Sequence, residues 1–347
     1  MSIRRAAVAG AVGLAAAGAA GAGLAHRRRV LARREDEPGP AFGSLRSKGR
    51  TVVADDGTPL YVEVDEPEVP TRLTLVFCHG YALSLDCWHF QREHYRARGI
   101  RAVYYDQRSH GRSGRSPMGN ATIDHLGADL MTILDAVAPE DPVVLVGHSM
   151  GGMTIVALAE QHPELFGDRV VGTALIATTA GGLDPSRILF PMVPTWAGSG
   201  AVHRSVAALA RGHRAVDRLR RLGRDVALVA TEQLAFGDDV PQSYVAFVDR
   251  MLAATPFEVV AEFFPGFSTL DKFDHVEPLA KVPTAVICGT DDKLTSIGHS
   301  RKLASRIIGS TLLECHGAGH MVLLERPDEV NGELDRLLGT TGAVDER

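Results

Sequence analysis

The sequence predicts an α/β fold: a mostly parallel sheet with helices on both faces and a helical cap insertion. From Thr51 onward, short apolar runs typical of buried strands alternate with longer amphipathic stretches typical of helices. The alternation stops over residues 182–270, which are rich first in Arg and Ala and then in Phe. We therefore expect one core built from residues 50–181 and 271–340, with residues 182–270 as a cap. An ordinary surface excursion is the alternative interpretation of that insertion.

The elements of the core are expected in a regular order. A hairpin over residues 51–54 and 60–64, turned at Asp55-Asp56-Gly57, comes first. Further strands are predicted at 73–77, 102–105, 143–146, 170–177, 284–288 and 311–314, and helices at 86–98, 123–137, 297–307, 327–338 and directly after residue 149. Strands separated by helices in this way are typical of a sheet covered on both faces.

The first 49 residues differ from the core. Residues 6–25 are uncharged and almost wholly Ala and Gly, and arginines flank them on both sides. Because twenty such residues can span a bilayer as a helix, we expect residues 1–25 to form a single membrane span. The arginine excess on the C-terminal side then leaves the core facing the cytoplasm. Secretion after cleavage of a signal peptide near Ala25 and a disordered start are the alternatives. Residues 26–49 are charged and contain Pro and Gly, which predicts a linker.

Charge and composition exclude several classes of partner. Residues 1–34 hold seven arginines, so the remaining chain carries 30 basic and 42 acidic side chains, a net charge of −12. This balance argues against a nucleic-acid-binding surface. No His, Asp or Glu cluster has metal-ligand spacing and no G-x-G-x-x-G follows a strand. The sequence therefore implies neither a metal nor a nucleotide cofactor.

One motif points to chemistry. Gly147-His148-Ser149-Met150-Gly151 follows an apolar run and precedes a helix-like stretch. A serine between two glycines at such a junction is typical of a nucleophile elbow, a sharp turn that exposes the hydroxyl. Glycine suits both flanks because it has no Cβ to collide with the neighbouring strand and helix. A chain of this length contains roughly 0.2 such matches by chance, so the surrounding motifs must decide.

Four further motifs follow predicted strands. They are Cys78-His79-Gly80-Tyr81, the stretch DQRSHGRS at 106–113, Gly289-Thr290-Asp291-Asp292 and Gly317-Ala318-Gly319-His320. Together with the elbow, these motifs resemble the α/β-hydrolase superfamily from about residue 51 to 338. The resemblance is strongest to its esterase and lipase members that carry G-H-S-M-G. Ser109 stands where the family commonly has glycine.

The resemblance implies three catalytic side chains. Ser149 is the expected nucleophile, and His320 is the base that takes its proton during attack. Asp292 is the expected acid that orients the imidazole, and Asp291 is its competitor. The chain order Ser, Asp, His is that of this superfamily.

The resemblance also implies an oxyanion hole. The backbone N–H groups of Tyr81 and Met150 are expected to face the developing negative charge. His79 and His148 flank this site, and we expect them to act as structural hydrogen-bonding groups.

These residues predict a serine hydrolase that acts on carboxylic esters, lipid-like or with small apolar acyl groups, through an acyl-enzyme. The expected partner is a small-molecule ester, held against the cap phenylalanines. A cofactor-free haloperoxidase or perhydrolase, and a carbon–carbon bond hydrolase, use the same three side chains and remain alternatives. Ser149 argues against epoxide hydrolases and haloalkane dehalogenases, which typically place an aspartate there. A non-catalytic membrane-tethered binding protein is the alternative from a different functional class.

Overall fold

The computed structural model describes residues 39–69, 71–183 and 231–342. In these residues one sheet contains eight strands, arranged in the order β1-β2-β4-β3-β5-β6-β7-β8. The strands are β1 Gly49–Val53, β2 Pro59–Asp65, β3 Thr74–Cys78, β4 Arg101–Tyr105, β5 Val143–His148, β6 Val170–Ile176, β7 Thr284–Gly289 and β8 Thr311–Cys315. All the predicted core strands are present, with small shifts at their ends.

The sheet is mostly parallel. Only the N-terminal strands run the other way: β1 pairs antiparallel with β2, and β2 antiparallel with β4. The remaining pairs, from β4–β3 to β7–β8, are parallel. Parallel strands place their carboxyl ends at one edge, which is where open α/β sheets form their binding crevice.

Helices cover both faces of the sheet. They are α1 His89–Ala97, α2 Ile123–Val137, α3 Met150–Gln161, α4 Gln242–Ala254, α5 Phe257–Ser268, α6 Ile297–Arg306, α7 Val322–Glu325 and α8 Pro327–Thr340. Side chains of α1 and α8 share one apolar cluster with the sheet, whereas those of α2, α3 and α6 share the cluster on the opposite face. The fold class predicted from the sequence is thus confirmed.

The apolar runs of the sequence form the buried central strands of the sheet. Every residue of β3, β5 and β7 is buried. A strand covered by helices on both faces has no polar side, so it is apolar throughout rather than alternating. The segments LVFC of β3 and VVLV of β5 have this composition.

The β6–β7 insertion is described in part. Residues 184–230 lie outside the described residues, and the remainder of 182–270 includes α4 and α5. The division into residues 50–181 and 271–340 as core and 182–270 as cap stays a prediction.

The predicted membrane localisation has to be corrected. Among the described residues, no helix has both the length and the apolar character needed to cross a bilayer. The longest of the helices named above, α2, has 15 residues, whereas roughly 20 are needed to span the hydrocarbon core. Residues 1–25 and most of the predicted linker, 26–38, lie outside the described residues.

Candidate active site

The turn between β5 and α3 is strained at Ser149. Its φ of 53° lies in the left-handed region that residues with a Cβ rarely occupy. The flanking glycine is required by contact, because a Cβ on Gly151 would lie 2.0 Å from the carbonyl oxygen of Cys78. Such strain persists only where the surroundings hold it, and it is characteristic of a nucleophile elbow.

Hydrogen bonds from the neighbouring strand hold this turn. The backbone N–H of Ser149 donates to the carbonyl oxygen of Ile176 at 2.9 Å. The hydroxyl of Thr178 donates to the carbonyl oxygen of Ser149 at 2.6 Å. Both partners lie at the carboxyl end of β6, so the elbow is fastened to the sheet on its backbone side while the Ser149 hydroxyl stays available.

The structure brings Ser149, His320 and Asp292 together, although they are far apart in sequence. Nε2 of His320 lies 3.0 Å from Oγ of Ser149, and Nδ1 lies 2.9 Å from Oδ2 of Asp292. A carboxylate can only accept, so Nδ1 carries the donated proton and Nε2 is left to accept from the serine hydroxyl. This is the arrangement in which the imidazole can remove a proton from Ser149.

The structure also distinguishes the two adjacent aspartates. Asp292 is buried, and its Oδ1 accepts the backbone N–H groups of Leu294 and Thr295 at 2.8 and 2.9 Å. Burial opposes ionisation, but His320 and these hydrogen bonds outweigh it and hold the pKa of Asp292 below its ordinary value. Asp291 is exposed, and its carboxylate accepts from the hydroxyl of Thr290.

Sequence reasoning missed Thr295. Its hydroxyl oxygen lies 2.7 Å from the carbonyl oxygen of Ala177, 2.8 Å from Oδ2 of Asp292 and 3.2 Å from Nδ1 of His320. Thr295 therefore contacts both members of the Asp–His pair and ties them to the end of β6. The only sequence signal is a hydroxyl residue three positions after Asp292, a spacing too common to identify it.

The predicted oxyanion groups lie at adjacent strand ends. Met150 opens α3, where the first N–H groups have no partner within a helix. Tyr81 follows β3, which is the neighbour of β5 in the sheet. Gly80 and Tyr81 line the same cavity as Ser149 and His320. Placed in this way, backbone N–H groups can stabilise an oxyanion formed at a carbonyl that Ser149 attacks.

Two buried histidines hold the loops of the site. Nδ1 of His79 donates to the carbonyl oxygen of Gly80 at 2.7 Å, and its Nε2 accepts from the backbone N–H of Gln107. His148 donates from Nε2 to the carbonyl oxygen of His320 at 2.9 Å. Burial lowers the pKa of each of the two to about 3, so both are neutral at physiological pH. The hydrogen bonds described for these two side chains are all with backbone groups.

A cavity of about 380 Å³ opens beside Ser149 and His320. Its described wall is mainly apolar, and the β6–β7 insertion supplies much of it. The apolar lining includes Met153, Leu183, Leu252, Phe257, Val260 and Phe267. Of the four phenylalanines in residues 257–267 of the insertion, Phe257 and Phe267 line the cavity, whereas Phe263 and Phe264 are buried without lining it. Thr231 and Asp249 add polar atoms to the wall.

The described residues contain no group of three or more His, Cys, Asp or Glu side chains arranged to hold a metal ion.

Comparison with known proteins finds relatives over most of the chain. A non-heme haloperoxidase from Rhodococcus erythropolis is 27% identical over 287 residues, which cover 82% of this chain and 97% of the relative. An enol-lactonase from Burkholderia xenovorans LB400 superposes with a TM-score of 0.67 at 25% identity and covers 84% of this chain and 100% of its own. A thermophilic esterase from Thermogutta terrifontis, at 22% identity, shares the fold with a TM-score of 0.67 over 85% and 99% of the two chains.

The family model described as the alpha/beta hydrolase family matches residues 75–333. This range includes the elbow and every side chain of the site described above. The relatives are enzymes named for small-molecule chemistry, as esterases, enol-lactonases and non-heme haloperoxidases. The chain therefore belongs to the alpha/beta hydrolase family.

Proposed function

We propose that this protein is a serine hydrolase that cleaves carboxylic esters with apolar acyl groups. The observation that carries the proposal is the continuous hydrogen-bonded path from Ser149 through His320 to Asp292, beside a mainly apolar cavity. The enol-lactonases among the relatives support the reaction class.

In the proposed mechanism, Ser149 attacks the ester carbonyl while Nε2 of His320 takes its proton. Asp292 stabilises the imidazolium that forms, and the N–H groups of Tyr81 and Met150 stabilise the oxyanion. His320 then protonates the departing alkoxide, which leaves an acyl-enzyme on Ser149. A water molecule activated by the same imidazole hydrolyses this ester and releases the carboxylic acid and the free hydroxyl.

The β6–β7 insertion is proposed to be the cap that selects the acyl group. Helices α4 and α5 contribute Leu252, Phe257, Val260 and Phe267 to the cavity wall. Each CH₂ buried there contributes up to about 0.8 kcal/mol, or about fourfold in kcat/KM, until the cavity is filled. A series of p-nitrophenyl esters from acetate to decanoate should therefore show a rise and then a fall in kcat/KM.

Substitution of the nucleophile tests the proposal. Ser149→Ala should abolish hydrolysis of p-nitrophenyl esters and covalent labelling by a fluorophosphonate probe. Ser305→Ala is the matched control, because Ser305 is an exposed serine on α6 that donates only to a backbone carbonyl. Ester hydrolysis that survives in Ser149→Ala would contradict the proposal.

A second candidate is a cofactor-free perhydrolase, favoured by the haloperoxidase relative. In that reaction hydrogen peroxide replaces water in attack on the acyl-enzyme, so a peracid is released in place of the carboxylic acid. Both reactions share the acyl-enzyme on Ser149, and only the second nucleophile differs. Measurement of peracid formed from an ester and hydrogen peroxide, against acid formed in water, separates the two.

A further inference from the structure

The loop that carries His320 is joined directly to the β6–β7 insertion. We call residues 316–321 the histidine loop and residues 235–238, which lie within the insertion just before α4, the return segment. The backbone N–H of Met321 donates to the carbonyl oxygen of Ala235 at 2.8 Å. One neighbour of His320 is thus bonded to the insertion rather than to the sheet.

Gly319, the other neighbour of His320 in the chain, is hydrogen-bonded to the side chain of Glu325. The N–H of Gly319 donates to Oε1 of Glu325 at 2.8 Å. The second carboxylate oxygen, Oε2, accepts the N–H groups of Gly237 and Asp238 at 2.9 and 3.3 Å. The Glu325 carboxylate therefore bridges the histidine loop and the return segment, with one oxygen on each.

Close backbone contact makes this bridge specific. A Cβ on Gly237 would lie 2.2 Å from the carbonyl oxygen of Gly317, and a Cβ on Gly319 would lie 2.4 Å from the nitrogen of Gly237. The two segments approach too closely for side chains, so polar backbone groups are buried between them. An acceptor that serves both sides satisfies these groups.

Arg326 adds a second link at the exposed edge. Its guanidinium donates to the carbonyl oxygen of His316 at 3.0 Å and pairs with the carboxylate of Asp238. Two side chains, a buried carboxylate and a partly exposed guanidinium, thus join the same two segments in addition to the backbone hydrogen bond from Met321 to Ala235. Neither residue contacts Ser149, and neither lines the cavity among the described residues.

We propose that Glu325 is a positioning residue, which keeps the His320 imidazole aligned with Ser149 by fastening the histidine loop to the return segment of the insertion. The inference rests on the proposed function, because it assigns a role in the reaction of Ser149. It extends that function by linking the placement of the base to the element that lines the acyl cavity.

Glu325→Gln is the sharpest test. The amide keeps the shape of the carboxylate but has one oxygen acceptor, so its NH₂ group must face an N–H donor on one side of the bridge. Displacement of a catalytic group by 1 Å can cost about 100-fold in rate. In assays at about pH 8.5, where the Glu325 carboxylate is ionised, we expect kcat per active site to fall about 10- to 100-fold with KM within about threefold. Glu329→Gln, which removes the same charge from a half-exposed side chain paired with Arg326, should stay within about twofold.

The readouts separate positioning from folding. Fluorophosphonate labelling gives both the fraction of active sites and the labelling rate constant per site, and hydrogen–deuterium exchange reports on residues 316–321. A slower rate per site with faster exchange in the histidine loop supports the proposal. An unchanged rate per site overturns it, even if less protein folds.

Two further outcomes have defined meanings. If Glu325→Gln yields no folded protein, Arg326→Ala decides: a loss of about threefold or more in kcat supports the proposal and unchanged kcat overturns it. If the wild-type protein is not labelled at Ser149, the proposed function fails. If the wild type is labelled and Glu325→Gln is labelled at the same rate per site, only the Glu325 inference fails.

Discussion

Asp292→Asn should move the imidazole proton of His320 from Nδ1 to Nε2. In the protein, Oδ1 of Asp292 accepts the N–H groups of Leu294 and Thr295, while Oδ2 faces Nδ1 of His320 at 2.9 Å. Asparagine has one oxygen and one NH₂ group. Its oxygen must stay with the two backbone donors, because turning the amide over would point NH₂ at them. The NH₂ group then faces Nδ1, which has to accept.

An imidazole whose Nδ1 accepts carries its proton on Nε2. Such an Nε2 cannot take the proton of Ser149, from whose hydroxyl oxygen it lies 3.0 Å in the native protein. A wrong tautomer of this kind lowers kcat by roughly 10⁴-fold, or about 5 kcal/mol of barrier. KM should change little, since Asp292 is absent from the described wall of the cavity. Steady-state hydrolysis of a p-nitrophenyl ester measures both constants.

The neighbouring aspartate supplies the control. Asp291→Asn removes the same charge from an exposed side chain one position away and should leave kcat within about twofold. Unfolding in urea establishes that both variants are folded. If folded Asp292→Asn keeps more than about a tenth of wild-type kcat, or if Asp291→Asn loses as much activity, the assignment of the acid is wrong.

Three more predictions follow from the described contacts. Gly151→Ala should leave little active protein, because its Cβ would collide with the carbonyl of Cys78; fluorophosphonate titration counts the active sites. Tyr81→Phe should lose about 1 kcal/mol of stability in urea, since its hydroxyl donates to the carbonyl of Val260, but keep most of kcat because the proposed oxyanion donor is backbone. Burial raises the pKa of Glu325 from 4.5 to about 7 despite its backbone donors and Arg326. The folded state therefore holds this proton more tightly, and wild-type stability falls by up to roughly 3 kcal/mol as pH rises through this range. Glu325→Gln should gain on wild type between pH 5 and pH 8 in urea titrations, and a pH-independent difference would contradict the assignment.

Local patterns were sufficient for the elements of the core. The helix predicted at 123–137 is observed at Ile123–Val137, where the Thr122 hydroxyl accepts the N–H of His125 as an N-cap. The predicted strands β5 and β7 are buried at every position, as expected for apolar runs that do not alternate with polar residues. These signals act over a few residues, so they can be read without knowledge of the rest of the chain.

The site was predictable only where a motif marked it. Gly-rich turns after strands identified the loops of Ser149 and His320, since such turns need residues without a Cβ. The choice between Asp291 and Asp292 depended on a spacing alone. The structure separates them, because the backbone N–H groups of Leu294 and Thr295 donate to the Asp292 carboxylate and the turn is therefore built around this side chain.

Thr295 and Glu325 carry no motif, because their roles arise from contacts made across the fold. Thr295 reaches the carbonyl of Ala177 from 118 positions away, and Glu325 reaches Gly237 from 88 positions away. Neither separation along the chain predicts a contact, because the contact forms only when the sheet and the insertion pack together.

The order of strands and helices, and the turns that require glycine, were determined by the sequence itself, since backbone hydrogen bonding and side-chain periodicity are local. The tertiary structure placed Asp292 rather than Asp291 against His320, and it alone decided what encloses the cavity beside Ser149 and what fixes the histidine loop. Those features depend on distances of about 3 Å between groups from separate strands and from the insertion, which only the packed chain defines.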